Sequence, residues 1–331
     1  MKTKNLYLIL ISIALFSCTT SPKANVKGTD VQKQGLNGPV KYVKTELYKL
    51  LPENDILRIG DSSLMEFNAL GNFTSVKEFL SNGKTIKEKK YIYNDKGLLI
   101  GRKDIDNYGT GSYLNYEYHY DLHDSIIEVI ISSDSFIRKV KIERNESNFV
   151  IKNQLSQSDS ILETSTVKYD DRNNIIGENE YRNTNILTKS IKRSFNKQNL
   201  VVKERIIEYQ PWDTLTYENL YFYDANNKLV LVKEGMDKDS AYIEAIYRYH
   251  KNGELKETVV TPKGSSYYTV LREVFNENGN LINRSRTPNK NRTKEIWDYK
   301  YKYDSNDNWI EKIEYHNGKP VQITKRTIEY Y

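Results

Sequence analysis

The stretch YKYDSNDNWIEKIEY, residues 301–315, sets side-chain oxygens at Asp304, Asn306 and Asn308, the alternate spacing with which a loop wraps a calcium ion. A complete loop of that kind also needs glycine after the third ligand and a carboxylate at its twelfth position. Those places hold Trp309 and Tyr315. The segment therefore reads as a turn whose Asp and Asn side chains bond their own backbone, and no metal or other cofactor is expected. The histidines, at 119, 123, 250 and 316, lack metal-ligand spacing. His123-Asp124-Ser125 carries the side chains of a hydrolytic triad, but triad members converge across a fold and not as chain neighbours. Glu178 with Glu180, or Glu204 with Glu208, could serve glycoside hydrolysis; in segments this charged such pairs are expected everywhere, so they single out no active site. Trp212, in QPWDT at 210–214, is different in kind. A large aromatic in a reversal is poorly placed for burial and could stack on a sugar ring or dock a partner; the competing reading folds it over the neighbouring turn. Trp297 and Trp309 follow the inward pattern and read as core.

The elements that would position these residues come from a repeat. An aromatic residue, then Asp or Asn, two variable residues, then Gly, Asn or Asp, one variable residue and an apolar one recur as FNALGNF at Phe67, YNDKGLL at Tyr93, YDLHDSI at Tyr120, YDDRNNI at Tyr169, FNKQNLV at Phe195, YDANNKL at Tyr223, YHKNGEL at Tyr249, FNENGNL at Phe275 and YDSNDNW at Tyr303, with a degenerate RNESNFV at Arg144. Anchors lie 24 to 28 residues apart, a period that marks a repeat architecture. Asn, Asp and Gly at the centre suit a hairpin reversal. Around them residues alternate with period two: Trp297, Tyr299, Tyr301 and Tyr303 share one face of a strand, Asp298, Lys300 and Lys302 the other. Second reversals such as SNGK at 81 and HNGK at 316 fall between anchors. Each unit is then two strands of about nine residues, roughly 30 Å long, in an antiparallel meander.

About twenty strands cannot stay one flat sheet, because twist accumulates and the apolar face must leave water. The expectation is an all-β fold, a curled or spiral repeat sheet with Tyr, Leu and Ile inward and Lys, Glu and Asn outward. LNGPVKYVKTELYKL from Leu36 should cap one end of it and TKRTIEYY the other. A transmembrane barrel shares the alternating signature, but Lys203 and Arg205 alternate with Val201 and Ile207, and Lys77 sits between Ser75 and Phe79. Such charges cost about 2–4 kcal/mol each on a lipid-facing surface near the midplane.

The copies YDANNKL, FNENGNL and YDSNDNW resemble the YD repeats of the RHS-repeat family, over nearly the whole chain from Leu36 onward. The resemblance implies a spiralling β-sheet and a sugar-binding or envelope-associated role. Three features depart from the family: the period is longer than its usual twenty or so residues, the Arg that often follows the Gly is replaced by Asn, Leu, Glu or Lys, and neither the core segment nor the toxic C-terminal domain has a counterpart.

The address is read from residues 1–35. MKTKNLYLILISIALFSC places Lys2 and Lys4 before an apolar run from Leu6 to Phe16, a secretory signal too short at about 1.5 Å per residue to span a bilayer. Leu15-Phe16-Ser17-Cys18 resembles a bacterial lipobox, in which residues 1–17 are removed and Cys18, the single cysteine, carries the lipid. Residues 18–35 read as the lipidated Cys and a flexible tether, and 36–331 as one β-repeat domain. With Cys18 acylated no disulfide can form. Removing residues 1–17 leaves 48 basic residues (50 less Lys2 and Lys4) against 44 acidic ones, in an even mixture that is no nucleic-acid surface. The 27 tyrosines beside 9 phenylalanines point to surfaces that are half-buried or touch ligands. Together these features predict a lipid-anchored outer-membrane protein, facing the periplasm with the cell surface as the open alternative, non-enzymatic, binding a glycan or an envelope protein. Two alternatives stay open: a carrier with a Tyr-lined interior, which needs a continuous cavity, and a glycoside hydrolase, which needs two carboxylates converging in a cleft.

Overall fold

The computed structural model describes residues 28–50, 56–58, 62–108, 111–183, 185–236, 242–264, 269–288 and 293–331. Cys18 and the chain up to residue 27 lie outside that description. Each motif copy is a hairpin turn of one design. Except in the copies at Arg144 and Tyr249, the Asn or Asp after the anchor accepts, through Oδ1, from the N–H groups two and four residues on: Asn94 from Lys96 (3.0 Å) and Leu98 (2.9 Å), Asp224 from Asn226 (2.9 Å) and Lys228 (2.8 Å). The fifth residue is left-handed in every copy, as at Gly97 (φ 78), Asn227 (φ 63) and Asp307 (φ 60), which limits the place to Gly, Asn and Asp. At the anchor the register slips by a residue, between Ile92 and Tyr93, Phe222 and Tyr223, Lys302 and Tyr303. A bulge repeated at one rim adds twist and bends each hairpin the same way.

The anchor is usually tyrosine for a reason the geometry supplies. Pairing between successive hairpins stops two residues short of the turn, leaving Phe73, Leu99, Val150, Val201 and Leu229 outside it. The hydroxyls of Tyr93, Tyr120, Tyr169, Tyr223 and Tyr249 donate to those five carbonyls at 2.7–2.9 Å. In the degenerate copy Arg144 Nη2 does the same to the Ile126 carbonyl, at 3.4 Å. A strand-end acceptor that would otherwise depend on water is thus satisfied by the next repeat.

The described residues form 23 strands, all antiparallel to their neighbours, but the sheet is not the curled or spiral one expected from the repeat. The two expected end caps pair with each other. Val40–Leu50 lies against Lys319–Tyr330 on one side and Ser62–Phe67 on the other, so 22 strands close into a barrel and the short Ile56–Arg58 pairs beside them with the end of the first strand. Closure has a physical advantage over a spiral: unpaired N–H and C=O rows at sheet edges are sticky, and a ring has none. Residues 28–35, read as the end of a tether, are folded onto the seam. Asp30–Lys33 is a helical turn with a Thr29 capping box; Val31 N–H donates to the Gly71 carbonyl and Phe73 N–H to Asp30. Val31, Leu36, Val40, Val43 and Phe67 form the seam's buried cluster. A second cluster, Val129, Ile131 and Val140, lies under Tyr116 and Tyr118.

Cross-strand register defines two walls. One carries Tyr91, Arg102, Tyr116, Tyr118, Arg193, Tyr217, Tyr221, Trp297, Tyr299 and Tyr301. The other carries Lys203, Arg248, Glu257, Lys300 and Lys302. The two most enclosed ion-paired cations among the described residues, Arg193 (13% exposed) and Arg102 (26%), lie on the first, while Arg248 (59%) and Lys302 (70%) lie on the second, as the concave side of a ring requires. The tyrosine wall is therefore the interior. Apart from a few isolated approaches, the backbones of the described strands come close only to those of their hydrogen-bonded neighbours. At about 4.8 Å per strand, 22 strands make a circular ring roughly 35–45 Å wide, too wide for side chains to fill. This explains why the interior is not the Tyr, Leu and Ile surface expected: a wet wall admits charge, and Asp104, Glu178, Glu204 and Glu273 face it too. Among the described residues, charges on both walls interrupt any apolar band of about 25 Å for lipid.

Candidate functional site

The question raised by Asp304, Asn306 and Asn308 is settled by hydrogen bonds. Asp304 Oδ1 accepts from the N–H of Asn306 (2.9 Å) and Asn308 (3.0 Å), and Oδ2 from the Tyr330 hydroxyl at 2.5 Å, so neither oxygen is left to face a cation. Asn308 is buried and clamps the seam: its amide accepts from Asn37 N–H (2.8 Å) and donates to the Asn37 carbonyl (2.8 Å) and Tyr330 (2.7 Å). Among the described residues no group of His, Cys, Asp and Glu is arranged to hold a metal ion.

These turns carry a pH dependence. Backbone donation from Ser125 and His123 holds the Asp121 carboxyl below its ordinary value, and the Asn174 side chain and backbone do so for Asp170. Burial opposes the effect at Asp304, but Tyr330 and the N–H groups of Asn308 and Asn306 outweigh it, and that carboxyl is also lowered. A carboxyl depressed in the folded state stabilises above its unfolded value and loses that contribution as pH falls through the folded one. The melting temperature should thus drop as pH falls below about 4. Asp304→Asn keeps the acceptor without the charge, so its drop between about pH 6 and pH 3, followed by circular dichroism, should be smaller than the parent's.

The other sequence candidates fall apart in space or are held by structural partners. Asp124 pairs with Lys96 at 3.0 Å and the Ser125 hydroxyl takes the Asn148 amide at 2.8 Å, so His123-Asp124-Ser125 forms no triad. Glu178 and Glu204 do converge, on Arg193: Arg193 Nε donates to Glu204 at 2.7 Å and Nη1 to Glu178. Glu204 also accepts from Asn219 (3.2 Å), and Glu208 from the Tyr217 hydroxyl (2.6 Å). Carboxylates pinned by a guanidinium and an amide are wall fittings and not a free acid and base. Trp212 stands 84% exposed on the reversal closed by Gln210 N–H to Asp213 O (2.8 Å), with Tyr209 and Leu215 exposed beside it.

Trp297 and Trp309 lie half-buried on the inner wall and not in a core. Trp297 stacks on His316, with ring centroids 4.8 Å apart, and Trp309 carries the Arg326 guanidinium 3.5 Å above its ring. Burial pushes the Tyr217, Tyr221 and Tyr301 phenols up to about 12 and the Arg326 guanidinium down to about 10. Arg326 escaped notice in the sequence; its one signal is parity, since it shares its strand face with Thr324 and Ile328 while Lys325 and Thr327 point outward.

The fold defines an all-β closed barrel of antiparallel hairpins, with an aromatic and ion-paired inner wall. No family model matches the chain, and no curated protein does. Solved structures that resemble it include two of TcdB2-TccC3, one without its hypervariable C-terminal region (12% identity, TM-score 0.32, 81% of this chain and 16% of that one) and one named TcdB2-TccC3-TEV (10%, 0.31, 80% and 19%). A third is a porin-like protein from Bacteroides uniformis (9%, 0.29, 88% of this chain and 98% of that one). The chain thus spans under a fifth of the first two.

Proposed function

We propose that this chain is a lipid-anchored binding module of the bacterial cell envelope, non-enzymatic, which takes its ligand against the tyrosine-lined inner wall. The observation that carries the reading is the closed ring whose interior no strand or loop fills among the described residues. It joins the binding and carrier readings of the sequence, since the wall offers tyrosines with one edge packed and one edge wet, the form suited to sugar or peptide contact. Envelope placement rests on the signal and Cys18, with the lipid as the membrane contact and the ring held off the bilayer. The test is retention of envelope glycans and proteins by the full chain, solubilised in detergent, against a chain in which Tyr221 and Tyr301 are both changed to Ala. Ligand retained by the parent and released by the wall variant supports the reading; equal retention by both, with folding intact, overturns it. A second reading, protein docking at the rim, is favoured by the exposed Trp212 and predicts loss of a partner on Trp212→Ala with the wall intact.

A further inference from the structure

The inner wall uses its arginines in two ways. Arg102 is paired with Asp104 at 2.9 Å, Arg193 with Glu178 and Glu204, and Arg284 with Glu273 at 2.7 Å. Arg326 has no carboxylate within reach among the described residues, and its Nε is buried without an acceptor. Lys312 is the second exception. It lies opposite Tyr301 in register and beside Thr324, two residues before Arg326, with no ion pair among the described residues. Its ammonium sits 5.8 Å from the Trp309 ring and 5.9 Å from that of Tyr299. Tyr301 meets Trp309 edge-on at 6.0 Å, completing an aromatic floor under both cations.

A half-buried cation without a counter-charge is costly; Arg102, Arg193 and Arg284 avoid that cost by pairing, and Arg138 and Arg144 lean on the Gln157 amide and on backbone carbonyls. We propose that Arg326 and Lys312, over Trp309, Tyr301 and Tyr299, form a subsite for an acidic sugar, its carboxylate or sulfate held by the two cations and its ring against the aromatic faces. This deepens the wall-binding reading above and rests on it. The chemistry matches at both ends: guanidinium and ammonium supply charge-assisted donors to an oxyanion, and Tyr and Trp supply flat apolar area to a pyranose. Burial lowers both cations, Lys312 included, where Glu314 acts the other way. Glu314 is the one carboxylate that acts on Lys312, and Arg326 draws support from Tyr301 alone, so the pair remains net positive.

The probes are tetragalacturonate and its neutral methyl ester, titrated into the full chain in detergent with tryptophan fluorescence and calorimetry as readouts. The acid should bind at least about tenfold tighter than the ester, the value of one charge-assisted contact, and more weakly as salt rises. Arg326→Gln and Lys312→Gln should each reduce the preference for the acid over the ester, and Arg326→Lys should keep more of it than Arg326→Gln. Equal binding of acid and ester overturns the subsite and leaves the wall reading standing. Binding of neither probe also overturns the subsite, and the wall reading is then judged by the envelope-retention test alone. Inorganic phosphate competing as well as the acid would show a site for any oxyanion and overturn the sugar assignment.

Discussion

Val43→Asp is expected to open the ring. Val43 is fully buried at the centre of the seam cluster, opposite Ile328 of the last strand and Met65 of the second long one. The change forfeits about 2 kcal/mol of apolar burial and sets an unpaired carboxylate in its place, for a total of about 4 kcal/mol or more. The seam is where that loss has a topological result. Apart from the short Ile56–Arg58, the other described strands are joined to neighbours close in sequence, whereas the pairing of Val40–Leu50 with Lys319–Tyr330 joins segments some 280 residues apart; breaking it exposes two long strand edges at once. Size-exclusion chromatography with light scattering should therefore find concentration-dependent oligomers together with a lowered melting temperature. Val140→Asp is the control, a buried valine in the second cluster and away from the seam. It should lower the melting temperature without oligomers. A monomeric Val43→Asp chain that melts like the parent would mean that the seam does not hold the barrel shut.

The hairpins were legible in the sequence because each is local. Seven residues fix the turn, and period-two alternation fixes which side chains share a wall, so Tyr116, Tyr118, Tyr299 and Tyr301 fall where alternation puts them. Closure was not legible. Whether a repeating sheet spirals or shuts depends on a small bend summed over ten bulges, and on whether the first and last strands arrive in register, and no single residue reports either. Leu36 onward and TKRTIEYY looked like caps because each carries a strand pattern without a motif turn; the same pattern serves a strand that closes a ring. The character of the wall was missed for a linked reason. Alternation separates faces but does not say how far apart opposite walls stand, and that distance decides whether Arg193, Glu178 and Glu204 sit in protein or in water. Arg326 is the extreme case, since its significance lies in a partner it lacks, and sequence cannot show that.

The remaining large effect follows from those charges. Arg193→Met leaves Glu178 and Glu204, both mostly enclosed, facing one another with their shared cation gone. Breaking a buried pair by removing one partner costs about 3–5 kcal/mol, most of it the charge left behind, so the urea midpoint should fall sharply. Two further variants separate this cause from lost packing. Arg193→Lys keeps the charge but not the planar fork that meets two carboxylates at once, and should fall between parent and Met. The triple variant Arg193→Met, Glu178→Gln, Glu204→Gln has no charge to strand and should recover most of the loss, a coupling well above about 1 kcal/mol in the cycle. Lys203→Met, which breaks the exposed pair with Glu218 (2.8 Å) on the outer wall, supplies the scale: such pairs are worth about 0–1 kcal/mol. If Arg193→Met costs no more than Lys203→Met, the tyrosine wall is as freely hydrated as the outside, and the distinction between the two walls, on which the placing of a ligand inside the ring depends, has no energetic content.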